Sequence, residues 1–165
     1  MSGTTAVTTA PGIAGTLIKA GVLPLPLPGT SFRLGSSHGQ LTAKYGFPIT
    51  GGNPDLTGPS GDILHSGGIY FTNLRKSLAI SNFDIDLAAG KVFATKVNFK
   101  AARIAVLDLD LSGLSVSQSH GVTTLSGIVV RLDPAAAGAL NATFGLPLPT
   151  DGSLVFGSAT VTLRT

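Results

Sequence analysis

The 165-residue sequence contains no cysteine, no tryptophan and no glutamate. Without cysteine there are no disulfides, no thiolate nucleophiles and no cysteine-ligated zinc. All eight acidic residues are aspartates. Glutamate favours helix interiors whereas aspartate favours caps and turns, so this bias, with 22 glycines and 10 prolines, points away from helix. Charge is scarce: Asp, Lys and Arg make up 12% of the chain, about half the share of an average globular protein. Much of the surface must therefore be Thr, Ser, Gly and small apolar groups, which leaves room for an apolar binding patch. The net charge of +3 is small and scattered, with no basic block interleaved with aromatics, so nucleic acid is not an expected partner. No stretch approaches the roughly 18 consecutive apolar residues of a membrane-spanning helix. The opening MSGTTAVTTAPG has neither the basic nor the apolar segment of a secretory signal.

What is present reads as β-structure. Residues 61–111 alternate apolar and polar side chains between glycine turns, the period of half-buried strands. From Lys76 onward Leu78, Ile80 and Phe83 to Leu87, then Phe93 to Phe99, then Ile104 to Leu111 predict three antiparallel strands in a meander. Val116 to Gln118 and Val122 to Leu132 continue it around an SHG turn. Pro11 and Gly21 bracket GIAGTLIKAG, which predicts a helix of about two to three turns. The following VLPLPLPG should run extended along the surface or an edge, because alternate prolines forbid helix and disfavour a central strand. Residues 11–32 and 134–156 share a proline-initiated helix, an LPLP segment and a following strand, which reads as two matching units near the chain ends. The expected fold is all-β: an antiparallel two-sheet β-sandwich with two short helices, forming a single domain over residues 1–165.

The chemistry-bearing residues are few. Gly35-Ser36-Ser37-His38-Gly39 matches G-x-S-x-G, but strand-like residues follow where a nucleophile elbow needs a helix, so a polar hairpin loop is expected. Asp84/Asp86 and Asp108/Asp110 place paired carboxylates on one strand face, opposite the lysines Lys96 and Lys100. That arrangement reads as a solvated charge ladder rather than a calcium site, with Val97 and Phe99 pointing inward. His38, His65 and His120 lack metal-site spacing. His65 precedes Ser66, Gly67 and Gly68, a combination that suits a bulge and a close backbone approach. Asn141-Ala142-Thr143 is a glycosylation sequon, relevant only in a eukaryotic secretory pathway. No catalytic residue and no metal ligand is assigned, and an enzymatic role is not expected.

FPITGG (47–52), GDILHSGGIYF (61–71), FDIDLAAGKVFA, RIAVLDLDLSG, LSGIVVRLDPAAAGALNATFG and GSATVTL occur in an order that resembles HtaA-type domains of actinobacterial secreted and cell-surface proteins. The resemblance covers residues 45–163 and agrees with a β-rich fold. It implies a secreted or cell-surface location and, in the haem-uptake branch, a haem held by an axial tyrosine with a supporting histidine. His65 falls in the segment that matches the family's G-H-x-G stretch. The family's Trp-Gly and Ser-Phe-Arg-x-Tyr pattern is not reproduced: Ser31-Phe32-Arg33 is followed by Leu34-Gly35. Tyr45 and Tyr70 are the available phenols, so His65, Tyr70 and Tyr45 are the cofactor-binding candidates. The competing expectation is a structural or adhesive module that pairs with itself or with another cell-surface protein. Sparse charge, LPLP edges and the uncharged N-terminal GTTAVTT, which a free strand could donate to a neighbour, carry that expectation.

Overall fold

The structure, a computed structural model, describes residues 1–58 and 60–164. In chain order the elements are β1 (Ser2–Thr9), α1 (Ile13–Lys19), β2 (Leu23–Pro26), β3 (Ser31–Ser37), β4 (Gln40–Gly52), β5 (Asp62–His65) and β6 (Gly68–Thr72). Then follow β7 (Ser77–Asp86), β8 (Lys91–Val97), β9 (Lys100–Asp110), β10 (Ser115–Ser119), β11 (Val122–Leu132), α2 (Pro134–Phe144) and β12 (Val155–Arg164). None of these helices is long and apolar enough to cross a membrane.

The all-β, antiparallel character with two short helices is as expected, but the two-sheet sandwich is corrected. The sheet closes on itself: β7, β5, β4, β1, β12, β11, β9 and β8 are neighbours in that order, and β8 pairs back onto β7. The result is an eight-stranded barrel. β7 makes this possible because its ten residues pair with β8 along one edge and with β6 and then β5 along the other. Four strands, β2, β3, β6 and β10, lie off the ring or extend it. β3 pairs only with β4 and β10 only with β11, while β2 pairs with β6 at the end of a flap, all among the described residues.

Alternation turns each barrel strand's apolar side chains inward. Val7, Phe47, Ile63, Ile85, Val92, Val106, Val130 and Val161 contribute one buried residue from each strand of the ring. Burial stabilises each by about 1.5–3 kcal/mol. β12 shows the pattern plainly, with Ala159, Val161 and Leu163 buried and Ser158, Thr160 and Thr162 outside. α2 packs on β9 and β7 through Ala136, Ala137 and Leu140. Its start is set by Asp133, whose side chain accepts from Ala135 N at 2.9 Å ahead of Pro134, and its end by Gly145 in the left-handed region. α1 packs against β4 with Ala14 and Leu17.

The outside of the barrel carries a charged row. Asp62, Asp86, Lys91, Asp108 and Arg131 are register partners across β5, β7, β8, β9 and β11. Lys91 Nζ donates to Asp108 at 2.7 Å and to Asp133 at 2.6 Å. Arg103 stacks on Phe93 at 4.1 Å and donates to Asp84 at 3.0 Å. The expected ladder thus exists, but its cations are Lys91, Arg103 and Arg131. Lys96 and Lys100 do not take the role expected of them, because β8 ends at Val97 and Asn98 and Phe99 form a tight turn with φ of 52° and 66°. Phe99 is consequently 64% exposed rather than inward.

Candidate functional site

His65 ends β5 and faces the barrel lumen, with only 4% of its surface exposed. Its Nδ1 lies 3.1 Å from the Phe83 carbonyl oxygen, which can only accept, so Nδ1 carries the proton. Nε2 then accepts from the Thr5 hydroxyl at 2.7 Å. Both ring nitrogens are therefore used, and the side chain joins β1 to β7 across the inside of β4 and β5. Burial pushes its pKa below the usual histidine value, and the hydrogen bonds to the backbone of Phe83 and Ile63 offset this only in part.

The residues after His65 do what the H-S-G-G sequence suggests. Asn82, at φ 54°, interrupts β7 and donates its N–H to the Gly67 carbonyl at 2.9 Å. There the strand leaves β4 and continues as β6 along β7. A Cβ on Gly68 would collide with the Ile80 carbonyl oxygen and with Ser81, so glycine is required by close approach. Thr30 Oγ1 accepts from Gly68 N at 2.9 Å, which pins the loop between β2 and β3 against this break.

Tyr45 is fully buried on β4 and donates its hydroxyl to the Pro24 carbonyl of β2 at 2.6 Å. Burial pushes its pKa well above the ordinary tyrosine value. Phe32 lies over it at 5.2 Å, and Phe47 stacks beside it at 6.2 Å. Tyr70 sits half-buried on β6 between Leu25 and Ala79 as cross-strand partners. The three cofactor candidates do not converge on an open donor. Tyr45 and His65 are closed in and hydrogen-bonded within the protein, and an axial ligand needs a free lone pair facing the metal. As arranged, Tyr45 and His65 do not fit the axial position of a haem.

The other polar motifs are structural. Ser37 and His38 occupy the exposed β3–β4 hairpin and bond each other at 3.0 Å, so G-x-S-x-G is a turn. Asn141 of α2 clamps the second LPLP segment, giving its amide to Leu148 O at 3.0 Å and accepting from Leu148 N at 2.9 Å. No group of three metal-ligating side chains occurs among the described residues.

The surface feature that composition foreshadowed lies beside α1. β2 and β3 each leave one edge unpaired among the described residues. They expose Leu23, Leu25, Phe32 and Leu34, the last at 58%. The matching LPLP segment after α2 instead packs Leu146 and Leu148 against the core. Two units of like sequence thus differ in what covers their leucines. Sequence alone could not show this, since both read LPLP.

No protein-family model matches the chain, and no curated protein matches it. Among solved structures, the C-terminal domain of HtaA from Corynebacterium glutamicum is similar over 98% of this chain and 98% of that one, with a TM-score of 0.56 at 18% identity. A domain-swapped dimer of a histidine-to-alanine variant of that domain is matched over 90% of this chain and 89% of that one, with a TM-score of 0.47 at 18% identity. The first of these likenesses extends over almost the whole of both chains, and the chain has the fold of an HtaA-type domain.

Proposed function

We propose that the chain is a non-enzymatic, secreted or cell-surface barrel module that associates with further copies of itself through the free strands beside α1. The observation that carries this reading is the exposed pair of edges, β2 and β3, with Leu23, Leu25, Phe32 and Leu34 uncovered. An unpaired edge offers N–H and C=O groups to another strand, and apolar side chains on it add burial. β3 is the better edge. It holds no proline, whereas Pro24 and Pro26 remove two donors from β2. The mode differs from donation of the N-terminal strand: β1 is paired on both sides, with β12 and with β4.

Light scattering over a concentration series tests the reading. Association should rise with concentration and fall in Leu34→Lys and Leu25→Lys, whose exposed side chains belong to strands off the barrel ring. A chain that stays monomeric at every concentration, while binding another surface protein through the same edge, would move the partner from self to non-self. Hemin titration separates the remaining reading: no saturable Soret band is expected, since His65 and Tyr45 are already bonded. A saturable band lost in His65→Ala or Tyr70→Phe would replace self-association by haem binding.

A further inference from the structure

The barrel is not packed solid. Its lumen holds a cavity of about 110 Å³ walled by strands of the whole ring. Among the described residues its lining is apolar except for Thr5 and His65. Water is a poor occupant, because a buried water needs about two to four polar partners. His65 has spent both nitrogens, and the Thr5 hydroxyl has spent its proton on Nε2. The acceptor lone pairs of this single oxygen, Thr5 Oγ1, are what remain. Among the described residues the one buried side-chain oxygen without a partner, Oδ1 of Asp84, belongs to the outer face with Arg103 and does not help. A space that several waters could fill by volume therefore has hydrogen bonding for less than one.

An apolar void of this kind suits an apolar guest. A dry engineered cavity of about 150 Å³ takes benzene or xenon, and this one is somewhat smaller. No charged group lines it, so a carboxylate or ammonium guest would be buried unpaired and is excluded. A porphyrin is far too large. We propose that the lumen is a binding site for one slender molecule of the short-alkyl class, about four or five heavy atoms, carrying at most one hydroxyl, which Thr5 Oγ1 accepts. This site is separate from the edges at β2 and β3, so neither reading depends on the other.

The test is methyl-resolved NMR of the full chain with two probes, xenon under increasing pressure and 1-butanol. Saturable shifts are expected at lumen methyls such as Val7, Ile63, Ile85 and Val161, with the exposed Leu74 and Val155 unmoved. Ala159→Leu thickens the wall from β12 and should abolish the saturable response to both probes. Thr5→Val should weaken 1-butanol by about tenfold, the worth of one hydrogen bond, while leaving xenon unchanged. Wild-type shifts that never saturate, or that reach exposed methyls equally, overturn the site. Should Ala159→Leu not fold, the wild-type titration still decides. Equal weakening of both probes in Thr5→Val overturns the role given to its hydroxyl.

Discussion

Histidine 65 makes the protein sensitive to mild acid. Its folded pKa lies below the usual value, chiefly because burial disfavours the imidazolium. As pH falls below about 6.5 the unfolded chain takes up the proton first. Stability is thus complete above that pH, declines as pH drops toward the folded pKa, and levels off below it. Protonation also turns Nε2 into a donor facing a hydroxyl that had been donating to it. We expect Tm to fall between about pH 8 and pH 5 more steeply for wild type than for His65→Gln. Identical slopes would assign the acid sensitivity to the aspartates. The sequence marked His65 through the glycines beside it, but not its partner. Thr5 lies 60 residues away in an uncharged run, and nothing local links the two.

At the level of elements, the break between β5 and β6 is tightly constrained by close backbone approach. Gly68→Ala would drive a methyl into the Ile80 carbonyl and Ser81, neither of which can move without unpairing β6 from β7. A loss of about 2–4 kcal/mol is expected, as for other severe backbone conflicts. Gly138, within α2, offers the contrast, because a Cβ there meets nothing within 4 Å. Gly138→Ala should raise stability by about 0.5–1 kcal/mol through helix propensity alone. Thermal melts of the two variants moving in opposite directions would check both; parallel shifts would refute the steric account. These elements were legible because their signals are local: alternation for β7 to β9, Asp133-Pro134 and Gly145 for α2, and alternate prolines for an edge strand at β2. Phe99 misled because alternation does not reveal where a hairpin turns, and two consecutive non-glycine residues at positive φ carry little sequence signature.

For the molecule as a whole, closure is the property that sequence period does not encode. A strand with one buried face reads alike in a sandwich and in a barrel; the difference is whether the last edge finds the first. Here β1 sits between β4 and β12, so removing residues 1–9 would open the ring and strip Thr5 and Val7 from the core. We expect such a truncation to lose cooperative unfolding by circular dichroism. A truncated chain that melts cooperatively near the wild-type temperature would show that β1 is dispensable and available for exchange. The lumen adds a second global effect. At about 24 cal/mol per Å³, a 110 Å³ cavity left empty destabilises by roughly 2–3 kcal/mol, a sizeable part of the about 5–15 kcal/mol by which domains are usually stable.

The pairing of β1 with β12 runs from Ser2 opposite Arg164 to Thr9 opposite Gly157. Strands at opposite ends of the described chain must meet before the ring can shut, and loop entropy opposes that encounter until it has happened. The seam therefore sets a kinetic character as well as a thermodynamic one. Hairpins such as β3–β4 and β10–β11 can form early and locally, while the barrel as a whole closes late and slowly, its interior wet until the final strand arrives.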